Sequence, residues 1–382
     1  MPVFVIYNPV CGDGTANELF QEHVLPLIEK SSKVVDKIIV TESQGHAASA
    51  LRESFAQEGP ITVVLGAGDG TLHEIINAPD PKADVSFALV PCGTANALYS
   101  SIFPHTGEVD HADYKLKSVQ AFVNDRPTIP LTLALTDLDA PDKPRRSVAS
   151  AVVTSTALHA SILHDSEALR SSVPGIERFK VAARQNITRW YRATVRLHPA
   201  MNAGRVHIYD PAEGKFVPHP QSTKDAPLVL EGPFAYFVST VNVDRLEPQF
   251  RITPLQSDFK PTEASFDLVV VRPFRDPSIS VDSEGTRAAF APKLGSVLQA
   301  AYRNGAHASM RYANDGSTVD EGNGPTVVEY FRCGGWEWKP DESDEPAHLV
   351  CADGDILRIE NGGKATSFAR FSRNKCRFLV FA

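Results

Sequence analysis

Several features that would assign a chain quickly are missing here. Cysteine is scarce, five in 382 residues, and Cys11, Cys92, Cys333, Cys351 and Cys376 stand apart with no C-x-x-C pair. That argues against a disulfide framework or a zinc cluster and for a reduced, cytoplasmic setting. The histidines show no metal-ligand spacing either. No run approaches ~20 uninterrupted apolar residues; the best candidate, 149–163, is rich in Ser and Thr and broken by His159. No transmembrane segment is therefore expected. The start, MPVFVIYNP, lacks a basic leader region, and Pro2 stands where N-myristoylation needs glycine, so neither a leader nor that anchor is expected. Excess positive charge is absent: the net charge is −8 and the pI about 5.9, which disfavours nucleic acid as a partner. Two phosphate-binding signatures are also missing. There is no G-x-x-x-x-G-K-[ST], and G-x-G-x-x-G fails because Thr71 occupies the third glycine position after Gly66 and Gly68.

What is present divides the chain in two. At this length two domains are expected, and the texture changes near residue 123, giving domains at 1–123 and 124–382. The first contains four apolar runs, 3–7, 38–40, 61–65 and 87–90, each followed by a polar or glycine-rich loop and then a helical pattern (16–28, 47–55, the stretch after Gly70, and 97–102). Repeated β-α order at this spacing predicts a parallel, Rossmann-like sheet with helices on both faces. Right-handed crossovers then bring all four loops to the carboxyl edge of the strands, where open α/β sheets bind ligands. Gathered there would be Asn8, Gly12, Gly14, Thr41, His46, Gly68, Asp69, Gly70, Thr71, Gly93, Thr94 and Asn96. Glycines let backbone N–H groups approach a phosphate, and Thr and Asn donate to its oxygens.

The stretch 61–77, ITVVLGAGDGTLHEIIN, is the centre of this set, with Thr71 placed to cap the helix that follows. Asp69 is its odd member. A carboxylate inside an anion cradle would repel a phosphate, so it is expected to bind a metal ion or take a proton. Beyond residue 123, short alternating runs dominate (131–135, 148–155, 205–209, 234–240, 266–271, 327–331, 356–359 and 378–381), separated by polar, Pro-rich connectors. They predict an antiparallel, all-β sandwich interrupted by one helix at 177–192.

The motifs resemble a known family. GAGDGTLHEIIN is similar to the GGDGT-x-x-E-x-x-N signature of the diacylglycerol kinase catalytic domain, shared by diacylglycerol, ceramide and sphingosine kinases. YNPVCGDGTA resembles that family's N-P-x-x-G-x-G-x-A loop, and LVPCGTANAL its P-x-G-[ST]-x-N-x-L loop. EHVLPLI and TESQGHA look closest to the sphingosine/ceramide kinase branch. The resemblance implies a glycine-loop ATP site of NAD kinase/diacylglycerol kinase type, a β-sandwich holding the lipid, and Mg²⁺ with the nucleotide. It implies that Asp69 helps deprotonate a lipid hydroxyl for attack on the γ-phosphate, with Glu74 helping to hold nucleotide or metal. ILHDSEALRSSVPGIERF resembles the family's D-x-x-x-[DE]-S-E-x-x-R…G-x-x-R segment and carries Arg170 and Arg178 onto phosphate-binding arginines. CADGDIL resembles its D-G-E motif and makes Asp353 a nucleotide or metal contact.

The chain also departs from the pattern. Ala67 replaces the first glycine of GGDGT, Asp13 stands where a basic residue is common, and Ala95 replaces a glycine. At a left-handed position that last change would cost roughly 1 kcal/mol. Ser161 and Leu163 occupy positions where sphingosine kinases have aspartates that meet the lipid head. A buried sphingoid amine without a carboxylate is costly, which favours a neutral acceptor such as ceramide or diacylglycerol. The expected function is thus an ATP-dependent lipid kinase acting on a primary hydroxyl of a sphingoid base, ceramide or diacylglycerol, drawn from a membrane surface by a cytoplasmic, peripherally attached protein. The competing readings are a non-catalytic lipid- or nucleotide-binding relative and an NAD kinase-like enzyme with a soluble acceptor.

Overall fold

The computed structural model describes residues 1–55, 59–78, 81–105, 111–173, 175, 177–373 and 376–382. The four apolar runs are strands Val3–Tyr7, Lys37–Val40, Ile61–Ala67 and Val85–Pro91. They pair in parallel, in the spatial order Lys37–Val40, Val3–Tyr7, Ile61–Ala67, Val85–Pro91. The two central strands, Val3–Tyr7 and Ile61–Ala67, are buried along their whole length. Helices on both faces require that, and it is why these strands read as unbroken apolar runs. Register aligns their ends, Tyr7 opposite Gly66 and Val40, and Ala67 opposite Pro91, so the loops after them leave from one edge.

This sheet is completed from far along the chain. Phe378–Phe381, expected among the antiparallel strands, instead pairs in parallel with Val85–Pro91, and Thr128–Pro130 closes the edge beyond it. Strand pairing depends on which apolar face finds a vacancy, and local pattern does not encode that across some 290 residues.

The remaining strands form an eight-stranded, a six-stranded and a two-stranded sheet, each antiparallel. Large side chains join them. The Trp336 indole N–H donates to Ser239 Oγ at 2.9 Å, and Phe237 lies 5.5 Å from Trp336 and 5.4 Å from Trp338. Three helical findings differ from the sequence expectation. The run 148–155 splits into Arg146–Ser150 and Val153–Thr156 and turns directly into a helix, Ala157–Ala168. A second unexpected helix, Glu284–Tyr302, tolerates Pro292 in its interior. The expected helix 177–192 stops at Asn186, whose side chain folds back onto the Ala182 carbonyl at 2.9 Å. No described helix is long and apolar enough to cross a membrane.

Candidate active site

At the carboxyl edge, three glycine loops close on one another backbone to backbone. A Cβ on Gly68 would lie 3.2 Å from the Gly93 Cα, and one on Gly93 only 2.4 Å from the Gly68 Cα. Gly12, in the left-handed region at φ 56°, would press a Cβ to 2.3 Å from the Cys92 carbonyl oxygen. Glycine is needed at these points for approach. Gly66 serves packing instead: a side chain there would meet the Phe20 ring, which stacks on Tyr7 at 4.5 Å. Gly70 faces open space.

The helix after the central loop begins at Asp69, with Gly68 as its cap residue. Thr71 therefore sits inside the first turn rather than capping it. A carboxylate at the first helical position is favoured by the helix dipole. Its oxygens are also occupied from outside: Oδ2 accepts from Ala97 N at 2.8 Å and Oδ1 from Leu98 N at 3.1 Å. Asp69 thus satisfies two otherwise orphaned donors at the start of helix Ala97–Ile102. Burial pushes its carboxyl above the usual carboxylate value; the Ala97 and Leu98 bonds oppose this and nearby Asp353 adds to it.

Asn96 is the left-handed residue of the fourth-strand loop (φ 50°), a conformation asparagine tolerates. Its side chain brackets Gly93, accepting from the amide at 2.8 Å and donating to the carbonyl at 2.6 Å. Ala95 is not left-handed, so the strain expected there does not arise. In the first loop, Gly14 is left-handed too. Asp13 is exposed and closes a local turn, accepting from Thr15 N at 3.0 Å and Oγ1 at 2.6 Å.

The second-strand loop is held from across the edge. Glu74 Oε2 accepts from Gly45 N at 3.0 Å, and His46 Nδ1 accepts from Glu42 N at 3.1 Å. Between this loop and the first lies a cleft of ≈580 Å³ lined in part by Asn8, Pro9, Thr41, Gln44, Thr71 and Glu74, within the usual range for a small-ligand site. A second space, ≈20 Å³, opens beside Gly68, Asp69 and Asn96 and holds about one water. Thr94 is exposed at the rim.

The remaining expected site residues come from the β-rich region. Asp353 reaches the site without facing the cleft. Its carboxylate accepts from Ala151 N at 2.6 Å, Val152 N at 3.0 Å and Val153 N at 2.7 Å, with His73 Nδ1 at 3.4 Å. That occupies about all four lone-pair positions. Arg170, beyond the C-terminal end of helix Ala157–Ala168, is exposed and pairs with Glu167 at 2.8 Å. Arg178 lies over the Phe179 ring, and its buried Nε has no hydrogen-bond partner among the described residues. Residues 174 and 176 of the same motif lie outside the described residues. No cluster of three or more His, Cys, Asp or Glu side chains suited to a metal ion occurs among the described residues.

Two residues that the sequence reading left without a role join the halves of the molecule. Asn77 Nδ2 donates to the Ala149 carbonyl and its Oδ1 accepts from the Ala149 amide, both at 2.8 Å. His73 bonds Asp353. Both lie on the helix that Asp69 begins, Asp69–Ile76 with Asn77 as its cap. The signal for Asn77 was in the signature itself, whose last position it fills; for His73, four residues after Asp69, the sequence offered only a buried helix face.

A parallel sheet with glycine loops at its carboxyl edge, and an aspartate at their meeting point, is the arrangement in which open α/β sheets bind ligands. Residues 2–121 match the family described as "Diacylglycerol kinase catalytic domain". Among curated proteins the chain is similar to human Sphingosine kinase 1, 32% identical over 111 residues, and to Sphingoid long chain base kinase 5 of Saccharomyces cerevisiae, 32% identical over 103 residues. These matches cover 28% and 25% of this chain, and 28% and 15% of those proteins. Over nearly its whole length the fold is similar to the crystal structure of a candidate diacylglycerol kinase from Bacillus anthracis, with a TM-score of 0.50, 14% identity, and 98% and 95% of the two chains covered.

Proposed function

We propose that this protein transfers the γ-phosphate of ATP to the hydroxyl of a lipid. The observation that carries the reading is the position of Asp69, fixed by Ala97 N and Leu98 N where the three glycine loops meet. Phosphoryl transfer needs positioning and charge neutralisation more than covalent chemistry. The cleft beside Asn8, Thr41, Thr71 and Glu74 takes the nucleotide, and the amides of Gly12, Gly68 and Gly70 line the path of its phosphates. Asp69 accepts the proton of the acceptor hydroxyl. Its raised pKa suits a base, and the two amide bonds fix its direction while leaving each oxygen a free lone pair.

Mg²⁺ usually comes with ATP and takes most of its ligands from phosphate and water, adding one or two carboxylates. Asp69 and Glu74 retain lone pairs for such an ion. Asp353 does not fit as a ligand, because its oxygens are taken by three backbone amides and His73; in our reading it is a post between the two halves of the molecule. Arg178, with an unused N–H, is the better of the two arginines for a phosphate contact.

For the acceptor, we favour a neutral lipid. Ser161 is buried on helix Ala157–Ala168, and Leu163 packs against Ala160, Leu349 and Cys351. The nearby Asp165 is engaged by His164 and by Asn186 Nδ2 at 2.7 Å, which leaves it poorly placed to meet an amine. Such a substrate places the protein at a membrane surface, attached peripherally. Labelled ATP with ceramide, diacylglycerol and sphingosine in mixed micelles tests both parts. Transfer to a neutral lipid is expected; strong preference for sphingosine would overturn the acceptor, and no transfer to any lipid would overturn the kinase.

A further inference from the structure

The two glycine loops that flank Gly68 each carry a cysteine. Cys11 lies in the loop after Val3–Tyr7 and Cys92 directly follows Val85–Pro91. Each thiol perturbs the other's titration, and Cys11 packs against the apolar cluster that contains Cys92. The backbones touch as well, since Gly12 has no room for a Cβ against the Cys92 carbonyl. All five cysteines are thiols, and Cys333 and Cys351 are buried in the β-rich region.

We propose that Cys11 and Cys92 are a modification site: a hydroperoxide converts them to a reversible disulfide that ties two phosphate loops together and weakens nucleotide binding. The pair is asymmetric in the way this chemistry needs. Cys11 is half-buried and so reachable, whereas Cys92 is buried. The neighbouring Cys92 side chain holds the Cys11 thiol below its ordinary pKa, while that same partnership and burial push the Cys92 thiol up. Cys11 is therefore the thiolate that attacks. Its sulfur takes one peroxide oxygen, giving a sulfenic acid and releasing hydroxide (or alkoxide). The Cys92 thiol then gives its proton to that base as its sulfur attacks the Cys11 sulfur; the S–S bond forms, the S–O bond breaks, and the leaving hydroxide takes up a proton to become water. Two electrons pass from the thiols to the peroxide, and a dithiol returns them by exchange.

At present the Cys11 sulfur sits 3.0 Å from the Asn8 carbonyl. Turning it to Cys92 draws the first loop onto the fourth-strand loop beside Gly93, across the path proposed for the phosphates. The cross-link itself does not depend on the kinase reading; only its effect on nucleotide does.

The test treats the full-length protein with hydrogen peroxide, blocks remaining thiols and digests with trypsin. Cys11 is the only cysteine of peptide 1–30 and Cys92 the only one of 83–115. The expected result is one joined species, two hydrogens lighter than the separate peptides and separated again by dithiothreitol. In Cys92→Ser, peroxide should leave a sulfenic acid on Cys11 that dimedone traps. Intact thiols at both positions, at a dose that oxidises free glutathione, would overturn the proposal without recourse to any variant. Binding of a fluorescent ATP analogue should weaken about five-fold or more on cross-linking, a common size for coupling between sites, and recover on reduction. Unchanged affinity in fully cross-linked protein would overturn the effect on the loops while leaving the disulfide standing.

Discussion

In the first sheet the central strands are buried on both faces, and the loops after them meet through glycine. In the β-rich region strands such as Ala193–His198 alternate buried and partly exposed positions, and their contribution to the site is made by side chains gripping backbone. Asp69 and Asp353 show the contrast at one junction. Each is an aspartate followed by glycine and each accepts backbone amides; Asp69 was expected to bind a metal ion or take a proton, and Asp353 to touch nucleotide or metal. Asp69 accepts two amides and keeps lone pairs; Asp353 accepts three and a histidine, and keeps none. On our proposal the same motif chemistry divides into a reacting group and a structural post according to how many donors surround it.

Asp69→Asn should break the comparison most severely. The amide keeps much of the shape but cannot accept a proton, so the rate of transfer should fall by roughly 10²-fold or more. Turnover with saturating ATP measures it. Activity equal to wild type would remove Asp69 from the chemistry.

The complementary change, Asp353→Ala, leaves three backbone amides and His73 without their acceptor, at a cost of about 1–3 kcal/mol for each donor that water cannot reach. We expect a total loss of about 3 kcal/mol in urea unfolding. A variant as stable as wild type but with a raised KM for ATP would reverse the contrast and return Asp353 to the nucleotide.

The same contrast explains what could be read from the sequence. Doubly buried parallel strands carry continuous apolar runs, so 3–7, 61–65 and 87–90 stood out, and so did the loops between them. Helix Ala157–Ala168 did not, because it buries polar Ser161 and Ser166 along with Ala and Leu residues and shows no apolar stripe. Glu284–Tyr302 was obscured by Gly285, Pro292 and Gly295, residues that usually end helices. The membership of Phe378–Phe381 in the first sheet, and the donors around Asp353, are long-range facts that no local pattern carries. Within the candidate site, residue types were legible but orientations were not: Asn96 turns its amide onto Gly93, and Glu74 onto Gly45.

Asn77 tests the joint between the halves at smaller scale. Asn77→Leu removes both bonds to Ala149 and the one to the His73 carbonyl while keeping the branched shape. Loss of three hydrogen bonds at a part-buried site should cost about 1–3 kcal/mol, seen as a lower urea midpoint. If catalysis falls several-fold while the midpoint holds, Asn77 acts on the site rather than on the joint.

The smallest effect expected is a pH dependence at His73. Burial pulls the imidazole toward neutrality, but the bond and charge of Asp353 outweigh it, helped by Asp355 and Glu74, and raise its pKa above the ordinary 6.5. A histidine whose folded pKa is raised stabilises the fold fully below its unfolded pKa, where both states carry the proton. That contribution is lost as pH rises through the folded value, when the native state gives the proton up. The stability difference between wild type and His73→Gln should therefore be largest near about pH 6 and shrink toward about pH 9, because glutamine donates to Asp353 at every pH but never carries charge. Urea unfolding of both proteins across that range gives the difference directly. A constant gap would mean that His73 meets Asp353 as a neutral donor, and that the two halves of the molecule are joined by hydrogen bonds alone; a gap that closes with rising pH assigns part of the joint to charge.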